Sequence, residues 1–351
     1  MNNNLSQVIV KNLITDENGT SLFLTQENIQ SHLCEIGKLV NLTNLEIYDC
    51  GDLHLKLDFL RKLTNLQNLS LPFNFLDDDD IVYFEPLHNL TRLELAQIPL
   101  TGTGFKNVKL NKLNTLILTR VNLNYEGIIE ICNALPNLQV FDYMDDCGNF
   151  DETCLIEICT RLKFLHTISL CDVNCIDYDS LTLCPALRDL SLHCTANPCN
   201  YIGFPNKKPK FNPKYDAINK FPILPNLCSL SISVPFSKVI LPQINAYQSL
   251  KVLNFSNLDN DLPYNLITTL TKLDNLSIHA YLENNDLNFL SKMPQLKSLD
   301  LRCNHKLDIN AALFFADLKN LHSLNIHGTK IRKKQLVDLK KHVINTCDIH
   351  I

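Results

Sequence analysis

The chain has 351 residues, of which 45% are hydrophobic and 20% are charged, and its formal net charge is −5 at pH 7. This mildly acidic balance argues against general nucleic-acid binding, which usually needs a strongly basic face. No stretch approaches the roughly 18 consecutive apolar residues of a membrane span, and the first ten residues lack the basic start and apolar run of a signal peptide.

Residues 1–41 lack the regular pattern that follows them and are predicted to form an N-terminal cap. Within them, Leu5-x-x-Val8-x-Val10 is interpreted as a degenerate first strand. Residues 27–39 are predicted to form an amphipathic helix that leads into the first regular unit. Such a cap is expected because a bare end of stacked units exposes its apolar core.

A nine-residue pattern, first seen as Leu42-x-x-Leu45-x-Ile47-x-x-Cys50, recurs through residues 42–331. Later copies begin at Leu66, Leu90, Leu113, Leu138, Leu165, Leu187, Leu227, Leu250, Leu273, Leu296 and Leu321. These starts are 22 to 27 residues apart, except for one spacing of 40. The apolar residues at positions 1, 4 and 6 are expected to point inward, and their alternation predicts one short strand in each unit.

This pattern resembles that of the leucine-rich-repeat superfamily, nearer its intracellular ribonuclease-inhibitor-like and cysteine-containing classes than its receptor ectodomains. The resemblance implies an α/β fold, a curved right-handed horseshoe with a concave parallel β-sheet and mixed helical and extended segments on the convex side. It also implies that an asparagine at position 9 satisfies backbone groups of the turn. Only Asn74, Asn304 and Cys50 match that position well. The asparagine-rich composition is compatible with similarity to leucine-rich-repeat effectors of intracellular bacteria.

The segments between strands are predicted to differ in structure. Tyr125–Leu135 and Asp151–Leu162 space their apolar residues as helices do, and Asp151 is a candidate N-cap of the second helix. Pro99–Val108 contains glycine, threonine and proline, which favour an extended segment or a short 3₁₀ turn. The run Asp77–Asp80 lacks the spacing of a calcium loop and is predicted to start another helix.

The 40-residue spacing predicts an insertion within residues 195–222, and its prolines favour an extended, projecting loop. Three interpretations remain open: a loop that contacts a partner, a site for nucleic acid or anionic lipid, and a surface insertion with no dedicated role. The candidate contact residues of this loop are Phe204, Lys207, Lys208, Lys210 and Phe211.

Residues 332–351 are predicted to form a C-terminal cap. Lys333–Val343 has the pattern of a helix with a mixed-charge outer face. Residues 347–351 are predicted to add a half-strand that closes the stack.

Positions 3, 5, 7 and 8 of each unit are predicted to face the concave side and to bind a partner. Seven acids and two arginines lie there in the first seven units, a net charge of −5, which favours a protein with a basic patch. The alternative is that these acids only keep the sheet soluble. Tyr143 lies at an inward position and is expected in the core. The candidate partner-binding residues are Glu46, Tyr48, Asp49, Phe73, Arg92, Glu94, Arg120, Asp142, Met144, Asp145, Asp172, Asp189 and His193.

One set of residues merits a chemical test, because Cys171, His193 and Cys194 are predicted on the concave side of adjacent units. A Cys/His pair can act as nucleophile and base, and with Cys147 or Asp172 it can bind zinc. No paired Cys-x-x-Cys motif accompanies it, so no catalytic residue, metal ligand or cofactor is assigned. His279 and His327 are interpreted as surface histidines.

The favoured function is a non-enzymatic, monomeric protein-interaction scaffold with no nucleic-acid or membrane partner. The alternatives are a substrate-recognition or adaptor protein in ubiquitin ligation and, third, a cryptic Cys/His enzyme or zinc protein. The 14 cysteines occupy mostly semi-buried positions, and five N-x-S/T sequons lie in or beside predicted strands, which favours a cytoplasmic location. A bacterial effector of this kind is expected to reach the host cytosol without a signal peptide.

Overall fold

The protein forms two compact units, seen in a computed structural model. The first unit contains residues 1–175 and 183–186, and the second contains residues 176–182 and 187–351. The structure describes residues 14–15, 19–25, 33, 35–48, 56–145, 148–175, 177–193, 221–233, 239–256, 264–335, 337 and 347–350. The degenerate strand predicted at residues 5–10 and the candidate contact residues of the insertion lie outside these ranges, as do Asp49 and Cys50.

The first unit is a stack of strands joined by helical returns. Its strands are β1 (Ile14–Thr15), β2 (Ser21–Thr25), β3 (Asn44–Tyr48), β4 (Asn68–Pro72), β5 (Arg92–Ala96), β6 (Thr115–Val121), β7 (Val140–Asp145) and β8 (Thr167–Cys171). Strand β1 is antiparallel to β2, and each later strand is parallel to the one before it. The returns include 3₁₀ helices at Leu57–Lys62, Asp78–Phe84 and Thr103–Asn107 and two α-helices, α1 (Tyr125–Ala134) and α2 (Glu152–Arg161).

The second unit repeats this plan with 3₁₀ returns. Its strands are β9 (Asp189–His193), β10 (Ser229–Ser233), β11 (Val252–Ser256), β12 (Asn275–His279), β13 (Ser298–Asp300), β14 (Ser323–Asn325) and β15 (Asp348–His350). All of their pairings are parallel. Its 3₁₀ helices cover Leu241–Ala246, Tyr264–Thr269, Asn284–Lys292, Ile309–Phe315 and Lys333–Gln335, and a further one spans Asp179–Leu183.

Equivalent leucines of successive repeats lie opposite one another in the sheet. Leu45 is paired with Leu69, and Leu69 with Leu93, while Leu253 is paired with Leu276 in the second unit. All of these side chains are buried, and burying one leucine contributes about 2 kcal/mol. The predicted α/β leucine-rich-repeat fold, with one short strand in each repeat and parallel pairing between repeats, is therefore confirmed.

The two predicted convex helices are present as α1 and α2. Asp151 caps α2, because its Oδ1 accepts hydrogen bonds from the backbone amides of Thr153 at 3.0 Å and Cys154 at 3.2 Å. The strands flanking α1 and α2 are offset by 25 residues (Thr115 to Val140) and 27 residues. These repeats can be longer because an α-helix rises only about 1.5 Å per residue, against about 2.0 Å for a 3₁₀ helix.

The acidic run begins a helix, as predicted, and the helix is of the 3₁₀ type. Asp77 and Asp80 form a reciprocal capping box at its start. Asp78 reaches into the next repeat, where its carboxylate accepts from the backbone amides of Thr101 at 2.8 Å and Gly104 at 2.9 Å. A Cβ on Gly104 would lie only 2.1 Å from the Asp78 carbonyl oxygen, so this contact requires glycine. The acids therefore link two neighbouring repeats.

The caps agree only in part with the sequence prediction. Strand β2 was not predicted, although Leu22 lies opposite Leu45 as another repeat leucine would. Its first repeat position is Gly19 instead of a leucine, which hides the pattern. At the other end, β15 confirms the predicted closing half-strand. The predicted helix over 333–343 begins as 3₁₀ at Lys333–Gln335, and residues 338–346 lie outside the described part of the chain.

Candidate protein-binding surface

The outward face of strands β3–β8 carries most of the predicted partner-binding side chains. Successive residues of a strand point to opposite faces, so position 5 of each repeat is outward while positions 4 and 6 are buried. The strand register aligns these position-5 residues into one row across the sheet. This central row contains Glu46, Ser70, Glu94, Ile117, Asp142 and Ser169, all half-buried.

The carboxylates of this row differ in their partners. Glu94 accepts a charged hydrogen bond from Arg92 at 2.9 Å. Glu46 has no ion pair or hydrogen bond with any residue that the structure describes. Partial burial, and secondarily the charge of Glu94, raise the pKa of Glu46 above its usual value of 4.5. Glu46 is therefore a partly desolvated carboxylate that has no counter-ion or hydrogen-bond donor among the described residues.

An aromatic pair lies beside this carboxylate. The rings of Tyr48 and Phe73 have centroids 4.9 Å apart and are tilted by 50°. Tyr48 follows Glu46 by two residues on β3, so both side chains leave the sheet on the same side. The Tyr48 side chain is 38% exposed, which makes it one of the few large side chains accessible on this face.

Position 8 of several repeats has a left-handed backbone conformation. This conformation is costly for residues other than glycine, and it turns the chain sharply as the strand ends. It places Gln97 and Arg120 in solvent and leaves Asp172 half-exposed. The non-glycine residues at position 8 with positive φ are Phe73, Gln97, Arg120, Asp172 and Cys303.

Asp145 departs from this arrangement, and its prediction as a surface residue is wrong. The side chain is only 4% exposed. Its carboxylate accepts hydrogen bonds from the Tyr143 hydroxyl and the Phe150 backbone amide, each at 3.1 Å. Strand β7 continues through Asp145 without the left-handed residue, so the side chain turns inward. Tyr143 is fully buried, as predicted.

The remaining described candidates lie at outward positions and are half-buried or exposed. On the first unit these include four acids and two arginines, a charge of −2, and Asp189 on the second unit is a fifth acid. Of the other two acids counted from the sequence, Asp145 is buried and Asp49 lies outside the described residues. These outward candidates are Glu46, Tyr48, Phe73, Arg92, Glu94, Arg120, Asp142, Met144 and Asp172 on the first unit, with Asp189 and His193 on the second.

The position-9 asparagines behave as the family resemblance implies. Asn304 is fully buried, and its Nδ2 donates to the carbonyl oxygens of Ile278 at 2.7 Å and Leu301 at 2.8 Å. Its Oδ1 accepts from the backbone amides of Ala280 and Leu282, each at 3.2 Å. Asn74 similarly donates to the Ile47 carbonyl oxygen at 2.8 Å. These side chains form hydrogen bonds with backbone groups that the turn would otherwise leave without a partner.

The proposed Cys/His cluster is only partly described, because Cys194 and Cys147 lie outside the described residues. Cys171, which was predicted on the concave side, belongs to the first unit and is buried, and its thiol donates to Asp172 at 3.7 Å. His193 belongs to the second unit, where its Nε2 lies 3.2 Å from Ser231 Oγ. Among the described residues, no group of three His, Cys, Asp or Glu side chains is placed to hold a metal ion.

The outward face of the second unit contains a groove of about 580 Å³ that is lined by both polar and apolar residues. Near one end, Arg302 pairs with Asp300 at 2.9 Å and its Nε donates to His279 Nε2 at 3.1 Å. His279 is thus half-buried in a network and is not the simple surface residue predicted, whereas His327 is exposed.

This network does not have the geometry of a Ser-His-Asp relay. Such a relay places the serine and the carboxylate on opposite nitrogens of the histidine ring. Here Ser277 Oγ at 3.1 Å and Asp300 Oδ1 at 3.6 Å both face Nε2 of His279. The nitrogen that would take a proton from the serine therefore also faces the acid, and the group is suited to hydrogen bonding instead of proton relay.

No protein-family model matches the chain, and no curated protein sequence is significantly similar to it. Among solved structures, an internalin from Listeria monocytogenes is 18% identical, with 99% of this chain and 92% of that chain covered and a TM-score of 0.45. A leucine-rich-repeat protein from Leptospira interrogans is 19% identical, with 96% and 92% covered and a TM-score of 0.45. No helix in the described part of the chain is long and apolar enough to cross a membrane.

Proposed function

We propose that this leucine-rich-repeat protein is a non-enzymatic scaffold that binds a protein partner through the outward face of β3–β8. The observation that supports this most is the central row, in which each of six neighbouring strands has one outward, half-buried side chain. At a strand spacing of about 4.8 Å, the row from Glu46 to Asp142 spans about 19 Å. A surface of that width suits one side of a standard protein interface.

The charge of this face supports a partner with a basic patch. The four outward acids exceed the two arginines, and Arg92 is already occupied by Glu94. A surface with an excess of one sign accelerates the encounter with an oppositely charged partner and excludes partners of like charge. Binding is therefore expected to weaken as salt is added.

The non-enzymatic part of the proposal is supported by how the polar groups are used. The buried groups Asp145, Asn74 and Asn304 serve backbone turns, and Asp300 serves the network around His279. These contacts account for polar side chains that would otherwise be candidates for chemistry.

Affinity capture with the full chain tests the proposal. We expect a stoichiometric protein partner whose retention falls when Glu94, Asp142 and Asp172 are all changed to lysine. The matched control reverses Glu126 and Glu130, which lie on α1 away from the sheet face. Retention that is equal in wild type and the sheet-face variant would overturn the proposal. Circular dichroism of each variant verifies folding.

A cytosolic site of action, including that of an effector in a host cell, is part of the proposal. The nine described cysteines that carry free thiols are compatible with a reducing compartment. Two sequon asparagines are also engaged: Asn68 donates to the Asn44 side chain, and Asn89 donates to the Thr64 carbonyl oxygen at 3.0 Å. A glycan on either amide would disrupt these contacts. Intact-mass analysis of the native protein tests this, and glycosylated Asn68 would contradict it.

A further inference from the structure

The outward face between β3 and β5 has a notch bounded by two carboxylates. The strand register places Ser70 directly between Glu46 and Glu94. The two acids are therefore on next-nearest strands, about 9.6 Å apart along the sheet, and the residue between them has a short side chain. We call this feature, together with the adjacent rings of Tyr48 and Phe73, the β3–β5 notch.

Charge at the notch is unbalanced on one side. Glu94 is held by Arg92, whereas Glu46 has no partner in the described chain. Leaving a carboxylate partly desolvated and without a counter-ion reduces stability, because burial disfavours the charged form. A ligand cation beside Glu46 would supply the missing counter-charge.

The aromatic pair supplies the second feature that a cation recognises. The faces of tyrosine and phenylalanine rings attract an ammonium or guanidinium group within about 6 Å of the centroid. Tyr48 is accessible, and the 4.9 Å stacking against Phe73 restrains its ring. The alkyl part of a long basic side chain can also pack against such rings while its charged end remains near water.

We propose that the β3–β5 notch binds a lysine or arginine side chain of the partner, between the Glu46 carboxylate and the Tyr48–Phe73 rings. Charge complementarity favours this occupant over an acidic one, which the unpaired Glu46 carboxylate would repel. An uncharged apolar side chain would desolvate Glu46 further without compensating it. The inference rests on the proposed function, since it names the chemistry of the partner group that this face receives.

A short basic peptide tests the notch without knowledge of the partner. The probe is a fluorescein-labelled peptide of about ten residues, long enough to cross the notch, with alternating lysine and serine. Anisotropy is measured with the full chain at about 50 mM salt, where screening is modest. The control peptide has every lysine acetylated, which removes the charge and keeps most of the side chain.

Four variants distinguish the notch from the general charge of the face. We expect Glu46→Gln and Tyr48→Leu each to reduce the affinity for the lysine peptide by about three- to fivefold. Tyr48→Phe is expected to bind this peptide as wild type does. Asp142→Asn removes one acid of the same row outside the notch and is expected to have a smaller effect. Glu46→Gln is also expected to melt at the same temperature as wild type or higher, because it removes an uncompensated charge.

Each result decides one of the two proposals. Equal weakening by Glu46→Gln and Asp142→Asn would overturn the notch while leaving the acidic-face proposal intact. Equal binding of the lysine and acetylated peptides, or unchanged binding by Glu46→Gln, would also overturn the notch. A loss of affinity by Glu46→Gln at an unreduced melting temperature supports it, because a purely structural role would reduce stability together with binding. Failure of partner capture, measured separately, concerns only the proposed function.

Discussion

Asp145 lies opposite Val121 in the sheet, one residue out of step with the repeat numbering, because β7 lacks the left-handed residue that Arg120 provides at the end of β6. Val121 is position 9 of its repeat, so Asp145 occupies the structural place of a position-9 residue although it is eighth in sequence. This is the place where Asn74 and Asn304 satisfy backbone groups. The carboxylate of Asp145 takes a similar role toward the Phe150 amide.

Replacing Asp145 by alanine is expected to destabilise the first unit by about 2–3 kcal/mol. The change leaves the buried Phe150 amide without this acceptor and leaves the Tyr143 hydroxyl with its longer hydrogen bond, 3.4 Å, to the Val121 carbonyl oxygen. Asp145→Asn keeps one acceptor oxygen and is expected to cost less. Urea denaturation followed by circular dichroism measures both. Glu85→Ala, at an exposed site, is the control for loss of a carboxylate. A stability loss no larger than that of the control would contradict the assigned role.

Asn304 offers a parallel prediction in the second unit. Asn304→Ala removes the hydrogen-bond partner of two backbone amides and two backbone carbonyl groups, all buried, and is expected to reduce stability by about 3 kcal/mol or more. Asn137→Ala, which removes one exposed hydrogen bond to the Asn111 carbonyl oxygen, is the matched control. Thermal unfolding of the two variants side by side provides the measurement. Similar melting temperatures would show that the buried amide contributes no more than an exposed one.

The repeated leucines were sufficient to predict the sheet. Their spacing within nine residues shows where each strand lies and which of its side chains point inward. The convex helices were predictable for the same reason, since Asp151 and the apolar spacing after it are adjacent in sequence. Strand β2 was missed because Gly19 replaces the first leucine of its repeat.

The site was less predictable than the fold because it depends on single-residue shifts of the backbone. The sequence around Tyr143 contains two consecutive aspartates, and nothing local indicates which one turns inward. The register against β6 shows which one does, because β7 has no left-handed residue opposite Arg120. The burial of Cys171 and the network around His279 also depend on neighbouring elements, which the repeat numbering does not describe.

Burial should order the reactivity of the described cysteines. Burial raises the pKa of the Cys132 thiol to about 12, and it raises that of Cys175 as well. Cys228 and Cys303 are partly exposed. Because the thiolate is the reactive form, pulse labelling with N-ethylmaleimide should modify Cys228 and Cys303 before Cys132 and Cys175. Peptide mass spectrometry measures the order, and labelling in urea is the control in which the difference should vanish. Early labelling of Cys175 in the native protein would contradict the structure.

Asp300 should make the folding stability of the protein depend on pH in the acidic range. Burial alone raises the pKa of this carboxyl, but the facing His279 ring, the hydrogen bond from the Arg302 amide and the positive charge of Arg302 outweigh it and hold the pKa below 3.8. A carboxyl with a lowered pKa stabilises the folded state above its unfolded pKa, and this contribution is lost as the pH falls through the folded value. The melting temperature of Asp300→Asn should therefore be below that of wild type near neutral pH, and the difference should shrink below about pH 4.

Asp317→Asn, at an exposed position of the same unit, provides the control for removing one negative charge. Its difference from wild type should stay small across the same pH range, because an exposed charge without a close partner contributes little. A difference between Asp300→Asn and wild type that persists unchanged into acid would mean that the amide perturbs packing instead of removing a charge interaction. In that case Asp300, His279 and Arg302 would stabilise the strand ends through packing, and their ion pairs would contribute little to stability.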